Sequence, residues 1–427
     1  MTQFRRPLLR WHPAGFVLAI TFVSLLVAAG LRSAPSVMMV PLELHFGWSR
    51  ATTSLTAATG IFLYGLAGPF AAALMMSLGI RRTMLAGIGL MAAATFASQW
   101  MSLPWHYVAT WGVLSGIGSG AIATVLGAAV VNRWFAKHQG LAMGLLSASA
   151  ATGALVFLPA LAWLTREGAW KPVVLTVSLA CLLLIPIVAF FMPERPSDVG
   201  ATRIGETPES IPPSPIKQAR TAGGAVSALT AAARVPMFWL LFGTFFVCGL
   251  TTNGLIGVHM IAFCGDHGIA PVAAAGLLSM MGFFDLIGTT ASGWLTDRYD
   301  PRRLLFVYYG LRGLSLIALP FLDFGPISLA AFAIFYGLDW IATVPPTMKL
   351  TNQAFGEAQA PIVFGWIMVG HQLGAATAAF GAGLIREQAG SYLPAFISAG
   401  VFAILAAIAV LARQFSKGSG QIPAFGR

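Results

Sequence analysis

Apolar runs long enough to cross a bilayer recur along this chain from Ala14 to Leu411, separated by short polar hinges. A transmembrane helix needs roughly 20 mostly apolar residues, and a long series of them leaves little room for a soluble fold. Only 9% of the 427 residues are charged, against about 25% in a soluble globular chain. The length would suit two or three soluble domains, but a 57% hydrophobic content overrules that prior. Alternating segments of roughly ten residues, the mark of a membrane β-barrel, do not occur. The sequence therefore specifies an all-α integral membrane protein.

Windows of about 19 residues place spans near 14–40, 52–76, 83–103, 106–132, 141–164 and 171–192, then near 236–262, 271–296, 303–322, 327–349, 360–385 and 392–413. Between the sixes lies PERPSDVGATRIGETPESIPPSPIKQARTAGG, rich in Pro, Ser and Gly, which reads as a mobile linker. The expected organisation is a six-helix unit (1–192), a linker (193–235) and a second six-helix unit with a short tail (236–427). The basic start MTQFRRPLLR is not a cleavable signal, because the apolar run behind it is too long. Cys181, Cys248 and Cys264 lack metal-ligand spacing and read as packing residues.

The net charge of +11 is scattered over short loops, so a basic bias toward one membrane face explains it better than nucleic-acid binding. One side collects Arg5, Arg6, Arg10, Arg81, Arg82, Arg133, Lys137, Arg195, Arg203, Lys217, Arg220, Arg234, Arg298, Arg302, Arg303, Lys349, Arg413, Lys417 and Arg427; the other has Arg50, Arg166, Lys171 and Arg386. That asymmetry puts both termini and the linker in the cytoplasm, with the chain in a cell (inner or plasma) membrane. Arg32 and Arg312 remain, both inside spans.

The halves repeat one another. ALMMSLGIRRTML (73–85) aligns with WLTDRYDPRRLLF (294–306), VNRWF (131–135) with TNQAF (351–355), and GLRSAP (30–35) with GLTTNG (249–254). A duplicated six-helix bundle encloses a pseudo-symmetric cavity near the bilayer midplane and suits alternating access by rocking.

GWLTDRYDPRR (293–303) also resembles the loop signature of the major facilitator superfamily, Gly-x-Leu-x-Asp-Arg-x-x-x-Arg-Arg, through Gly293, Leu295, Asp297, Arg298, Arg302 and Arg303. The resemblance implies a gating loop whose acid touches a neighbouring helix N-terminus and lets go as the halves rock. In the first copy Met76 and Ser77 stand where the acid and arginine belong, and only Gly79, Arg81 and Arg82 survive. That gate is expected to be weaker or differently built. FGWSRA (46–51), GPFAAAL (68–74) and NRWFAKHQGLAMG (132–144) further resemble the bacterial monocarboxylate and oxalate–formate porter branch. By that resemblance, spans 1, 4, 7 and 10 line the cavity.

Charges inside spans are costly, about 2.5–3.5 kcal/mol each on insertion scales, and mark functional sites. Arg32, near Pro35 and Pro41, which should loosen the helix, is the candidate substrate-anion anchor; a guanidinium forks onto a carboxylate and does not deprotonate. Thr251, Thr252 and Asn253, opposite Arg32 in the repeat, offer hydroxyls and an amide to substrate or to helix packing. Tyr64, the repeat partner of Asp285, offers a further donor. Asp285 stands where the resembled porters carry an Asp with an Arg one turn later, here Thr289. It is a candidate proton carrier, or else a structural acid bonded to Arg312 or to a neighbouring helix. Asp339, just before Trp340 and the Pro345–Pro346 pair, is a second, in a segment built to bend. His371, beside Gln372, is a third; His259, nearer the outer mouth, is weaker. Lys349 reads as snorkelling.

No P-loop, metal cluster or catalytic constellation appears, so neither an enzyme nor an ATP-driven pump is expected, and no cofactor. The leading expectation is a secondary transporter, functional as a monomer, that takes up a small organic anion with protons. An exporter of amphipathic molecules stays open as an alternative. A non-transporting sensor of the same fold is disfavoured by the short linker and tail.

Overall fold

The computed structural model describes residues 12–137, 139–165, 168–206, 222–356 and 359–412. Arg5, Arg6, Arg10, Arg166, Lys217, Arg220, Arg413, Lys417 and Arg427, used above for orientation, lie outside them. Among the described residues twelve long helical segments follow one another: α1 (Pro13–Phe46), α2 (Arg50–Ser77), α3 (Ile80–Ala97), α4 (Pro104–Trp134), α5 (Gln139–Leu164), α6 (Lys171–Phe191), α7 (Pro236–Asp266), α8 (Pro271–Arg298), α9 (Pro301–Phe321), α10 (Pro326–Phe355), α11 (Ala360–Ala389) and α12 (Leu393–Ala412). Among the described residues, nine helical runs are long and apolar enough to cross a membrane; α2, α3 and α5, of 28, 18 and 26 residues, complete the series.

Local chemistry sets the ends. Proline opens α7, α8, α9 and α10, where its missing N–H removes no helical bond. Gly47 and Gly390 follow α1 and α11 at φ 68° and 71°, a left-handed stop that a side chain would strain.

The repeat is visible in the packing. In the first unit α1 packs on α5, α2 on α4 and α3 on α6; in the second, α7 packs on α11, α8 on α10 and α9 on α12. The units meet through α2 with α11, α5 with α8, and α1 with α7. Each of these contacts maps onto itself or its counterpart when the units are exchanged, which is what a pseudo-twofold axis between them requires.

The described start of the linker, residues 193–206, docks on the first unit. Ile204 bridges to Phe135, Ile204 N donates to Trp134 O at 2.9 Å, and the Arg203 guanidinium reaches the carbonyls of Asn132 and Phe135. Satisfying the open backbone after α4 docks this segment despite its polar sequence. A short alanine-rich helix, Ala222–Ala232, precedes α7.

On the side opposite the linker, here the far side, hydrogen bonds cross between the units. Arg50 Nη1 donates to Tyr392 Oη at 2.7 Å and Ala51 N to Glu387 Oε2 at 3.0 Å. Nearby, Gly383 lies against Ser54 so closely that a Cβ would overlap its hydroxyl.

Candidate functional site

Arg32 sits past the middle of α1. The helix does not loosen there as its prolines suggest: it runs unbroken through Pro35 and Pro41. Two serines donate within the same turns, Ser33 Oγ to Ala29 O at 3.0 Å and Ser36 Oγ to Ser33 O at 2.7 Å, although the carbonyls that Pro35 and Pro41 deprive of a donor are those of Leu31 and Val37. The half-buried guanidinium lies over the Tyr64 ring, 4.5 Å from its centre. No acidic side chain meets it among the described residues. Stacking occupies the face of the fork and leaves its edge donors available.

Across the interface, α7 carries a π-helical turn over Leu250–Ile256, which holds Thr251, Thr252 and Asn253. Such turns cluster at functional sites because they re-aim side chains. Just before it, Gly249 lets α11 come so close that a Cβ would collide with the His371 carbonyl. Asn253 Nδ2 lies 3.2 Å from His371 Nε2, and the His371 ring also interacts with the Cys248 thiol. Gln372, next along α11, packs against Gly65, the residue after Tyr64. Arg32 with Tyr64 on α1 and α2, and Asn253 with His371 on α7 and α11, thus form two polar contacts on helices that meet across the units.

Asp285, Asp339 and Thr251 belong to a second cluster, inside the C-terminal unit. There α10 breaks between Asp339 and Val344, and Pro345 and Pro346 open its second half. Side chains from three helices replace the lost backbone bonds. Asp285 Oδ1 accepts from Ile341 N at 3.0 Å and from Thr289 Oγ1 at 2.9 Å. Ser292 Oγ donates to Ala342 O, and Cys248 Sγ touches Thr343 Oγ1 at 3.2 Å. Arg312, fully buried, donates through Nε to Asp339 Oδ2 at 2.6 Å and through Nη2 to the carbonyls of Asp339 and Trp340. Arg312 therefore pairs with Asp339, while Asp285 bonds the neighbouring helix. Thr251 is buried too, its Oγ1 3.5 Å from Arg312 Nη1.

In the charged loop Asp297 is exposed and has no hydrogen-bond or ion-pair partner among the described residues. The acid that meets a helix N-terminus is Asp300, which caps α9 by accepting from Arg302 N at 2.7 Å. Arg298 stacks on Trp294, 4.0 Å from the ring centre, and Arg303 is exposed. Lys349, read as snorkelling, bonds the Thr296 carbonyl in the last turn of α8. The first copy has its missing acid after all, from the linker. Glu194 accepts from Ile80 N at 2.6 Å and Arg81 N at 2.9 Å at the start of α3, and pairs with Arg133. Arg81 also reaches the Ala189 carbonyl, and Arg82 is exposed. No local pattern marks Glu194, which lies over a hundred residues from the helix it caps.

The model of the Major Facilitator Superfamily matches residues 21–379. The chain belongs to that superfamily. This facilitator is accordingly a multi-pass membrane transporter and not an enzyme. It is 29% identical over 398 residues to monocarboxylate transporter 13 of Bos taurus, covering 92% of this chain and 87% of the relative. An uncharacterised facilitator-type transporter of Bacillus subtilis, YcxA, is 24% identical over 96% of this facilitator and 98% of its own length. Among solved structures, a bacterial homologue of the human lysosomal transporter Spinster superposes with a TM-score of 0.70 at 15% identity, covering 95% and 99% of the two chains. The D-xylose–proton symporter does so with a TM-score of 0.66 at 12% identity, covering 93% and 97%.

Proposed function

We propose that this facilitator takes up a small organic anion, a carboxylate, together with protons by alternating access. The observation that carries this reading is the contrast between its two intramembrane arginines. Arg312 is neutralised by Asp339, whereas Arg32 meets an aromatic ring and no acid. A cation held at that depth without a counter-charge is the place where an anionic substrate gains most. Tyr64 stacks on it, and the monocarboxylate transporters among its relatives agree with the substrate class.

For the proton, His371 is favoured over Asp285 and Asp339. Both acids are engaged in holding the break of α10, whereas His371 meets Asn253 in the π-helical turn of α7. The closed far side and the unpartnered Asp297 support a state open toward the linker, which the charge bias makes the cytoplasmic face. Uptake of a carboxylate panel into proteoliposomes under an imposed pH gradient tests the proposal. Accumulation is expected only with the gradient directed inward; accumulation indifferent to it would reject proton coupling.

A further inference from the structure

One of the contacts that close the far side, between Arg50 and Tyr392, leads to a buried histidine. Arg50, at the start of α2, is held by Glu43 of α1 through both Nε and Nη2, and Thr53 Oγ1 donates to the same carboxylate at 3.1 Å. Its remaining arm, Nη1, crosses to Tyr392 Oη at 2.7 Å. Tyr392 Oη lies 3.0 Å from His259 Nδ1, and His259 Nε2 lies 2.7 Å from Ala379 O. Tyr392 is 2% exposed and His259 is sealed completely.

The hydrogen-bond direction follows from the partners. A carbonyl only accepts, so His259 Nε2 carries a proton and Nδ1 of the neutral ring accepts. Tyr392 therefore donates its hydroxyl proton to Nδ1, and its oxygen accepts from Arg50. The relay runs one way, from Arg50 to Tyr392 to His259 to Ala379. A second proton on His259 reverses one step: Nδ1 becomes a donor facing the phenol. The phenol hydrogen then has nowhere to go, and imidazolium and guanidinium crowd one oxygen. The other charges around the relay do not relieve this. Glu43 is committed to Arg50; Asp266 is bound by Arg386 at 2.6 Å; the Arg386 guanidinium itself stands 6.0 Å from the Tyr392 ring; and Glu387 receives the Ala51 amide.

We propose that Arg50, Tyr392 and His259 form a latch that closes the far side only while His259 is neutral. Because His259 is sealed when the latch is made, it takes up a proton only after the units part there, and must release it before they rejoin. The far gate thereby reads the proton independently of any substrate. The proposal rests on the alternating-access reading above, but no solute enters its test, so a failure of the carboxylate assignment is distinguishable from a failure of the latch.

The test is a distance measurement across the far side by pulsed electron spin resonance in liposomes. Spin labels are placed at Ser102→Cys in the first unit and Phe321→Cys in the second, both exposed far-side positions. The pH is lowered from about 8 to about 5, a range that spans histidine titration. The distance distribution is expected to shift longer at acid pH in the otherwise unmodified chain. His259→Gln, which cannot titrate, should keep the short distance throughout. Tyr392→Phe, which cuts the relay, should show the long distance at both extremes. A distance that ignores pH, an acid shift that survives in His259→Gln, or a Tyr392→Phe variant that stays closed would each overturn the latch. Should His259→Gln fail to fold, the unmodified chain and Tyr392→Phe still decide the matter.

Discussion

Arg312 Nε donates to Asp339 Oδ2 across 2.6 Å, and the guanidinium is wholly sealed within the C-terminal unit. Removing one member of a buried ion pair leaves the other uncompensated and costs about 3–5 kcal/mol, while replacing both with apolar residues costs far less. Asp339→Ala is therefore expected to lower the thermal unfolding midpoint in detergent strongly. Adding Arg312→Met should restore part of the loss, and only part, because the carbonyls of Asp339 and Trp340 lose their donor. A double variant no more stable than Asp339→Ala would count against the pair as the source of the cost.

Asp285 differs from Asp339 in what it is needed for. Its Oδ1 serves the Ile341 amide, and an amide side chain presents the same oxygen. Asp285→Asn should keep both stability and gradient-driven uptake. Asp285→Ala leaves a buried N–H without a partner, at about 1–3 kcal/mol. His371→Gln, by contrast, should abolish gradient-driven accumulation in proteoliposomes while sparing solute exchange at equal pH. If Asp285→Asn loses accumulation and His371→Gln keeps it, the two roles must be exchanged.

Glu194 supplies the charge that the first loop copy lacks. A carboxylate at a helix N-terminus contributes up to about 1 kcal/mol at an exposed site. Glu194→Gln should therefore speed hydrogen exchange at the Ile80 and Arg81 amides roughly fivefold relative to amides in the middle of α3. Unchanged exchange at those two amides would show that the contact contributes nothing.

Much of this was legible in the sequence, for reasons that mark its limits. Span positions follow from hydropathy because each helix must satisfy its own backbone within hydrocarbon. The repeat shows because the aligned segments 73–85 and 294–306 keep their loop chemistry, and the packing pairs repeat accordingly. Arg32, Tyr64, Asn253 and His371 stand out as polar residues in apolar runs, and they meet in two pairs, Arg32 with Tyr64 and Asn253 with His371. Partnership is what a single sequence conceals. Nothing local says that Arg312 meets Asp339 rather than Asp285, since both acids lie on helices packed against one another. Tyr392 and His259 are 133 residues apart, so the relay that gives His259 its significance is a product of the fold alone. Pro35 and Pro41 mislead in the other direction, because each removes one N–H from the ladder and yet the helix continues through both.

The most direct measurement of the account compares binding of a small carboxylate with that of its uncharged amide analogue, in the unmodified facilitator and in Arg32→Gln. The unmodified chain should prefer the carboxylate, and Arg32→Gln should lose at least about tenfold in carboxylate affinity, near 1.4 kcal/mol, with the amide little affected. Carboxylate binding that is undiminished in Arg32→Gln would contradict the role assigned to that guanidinium.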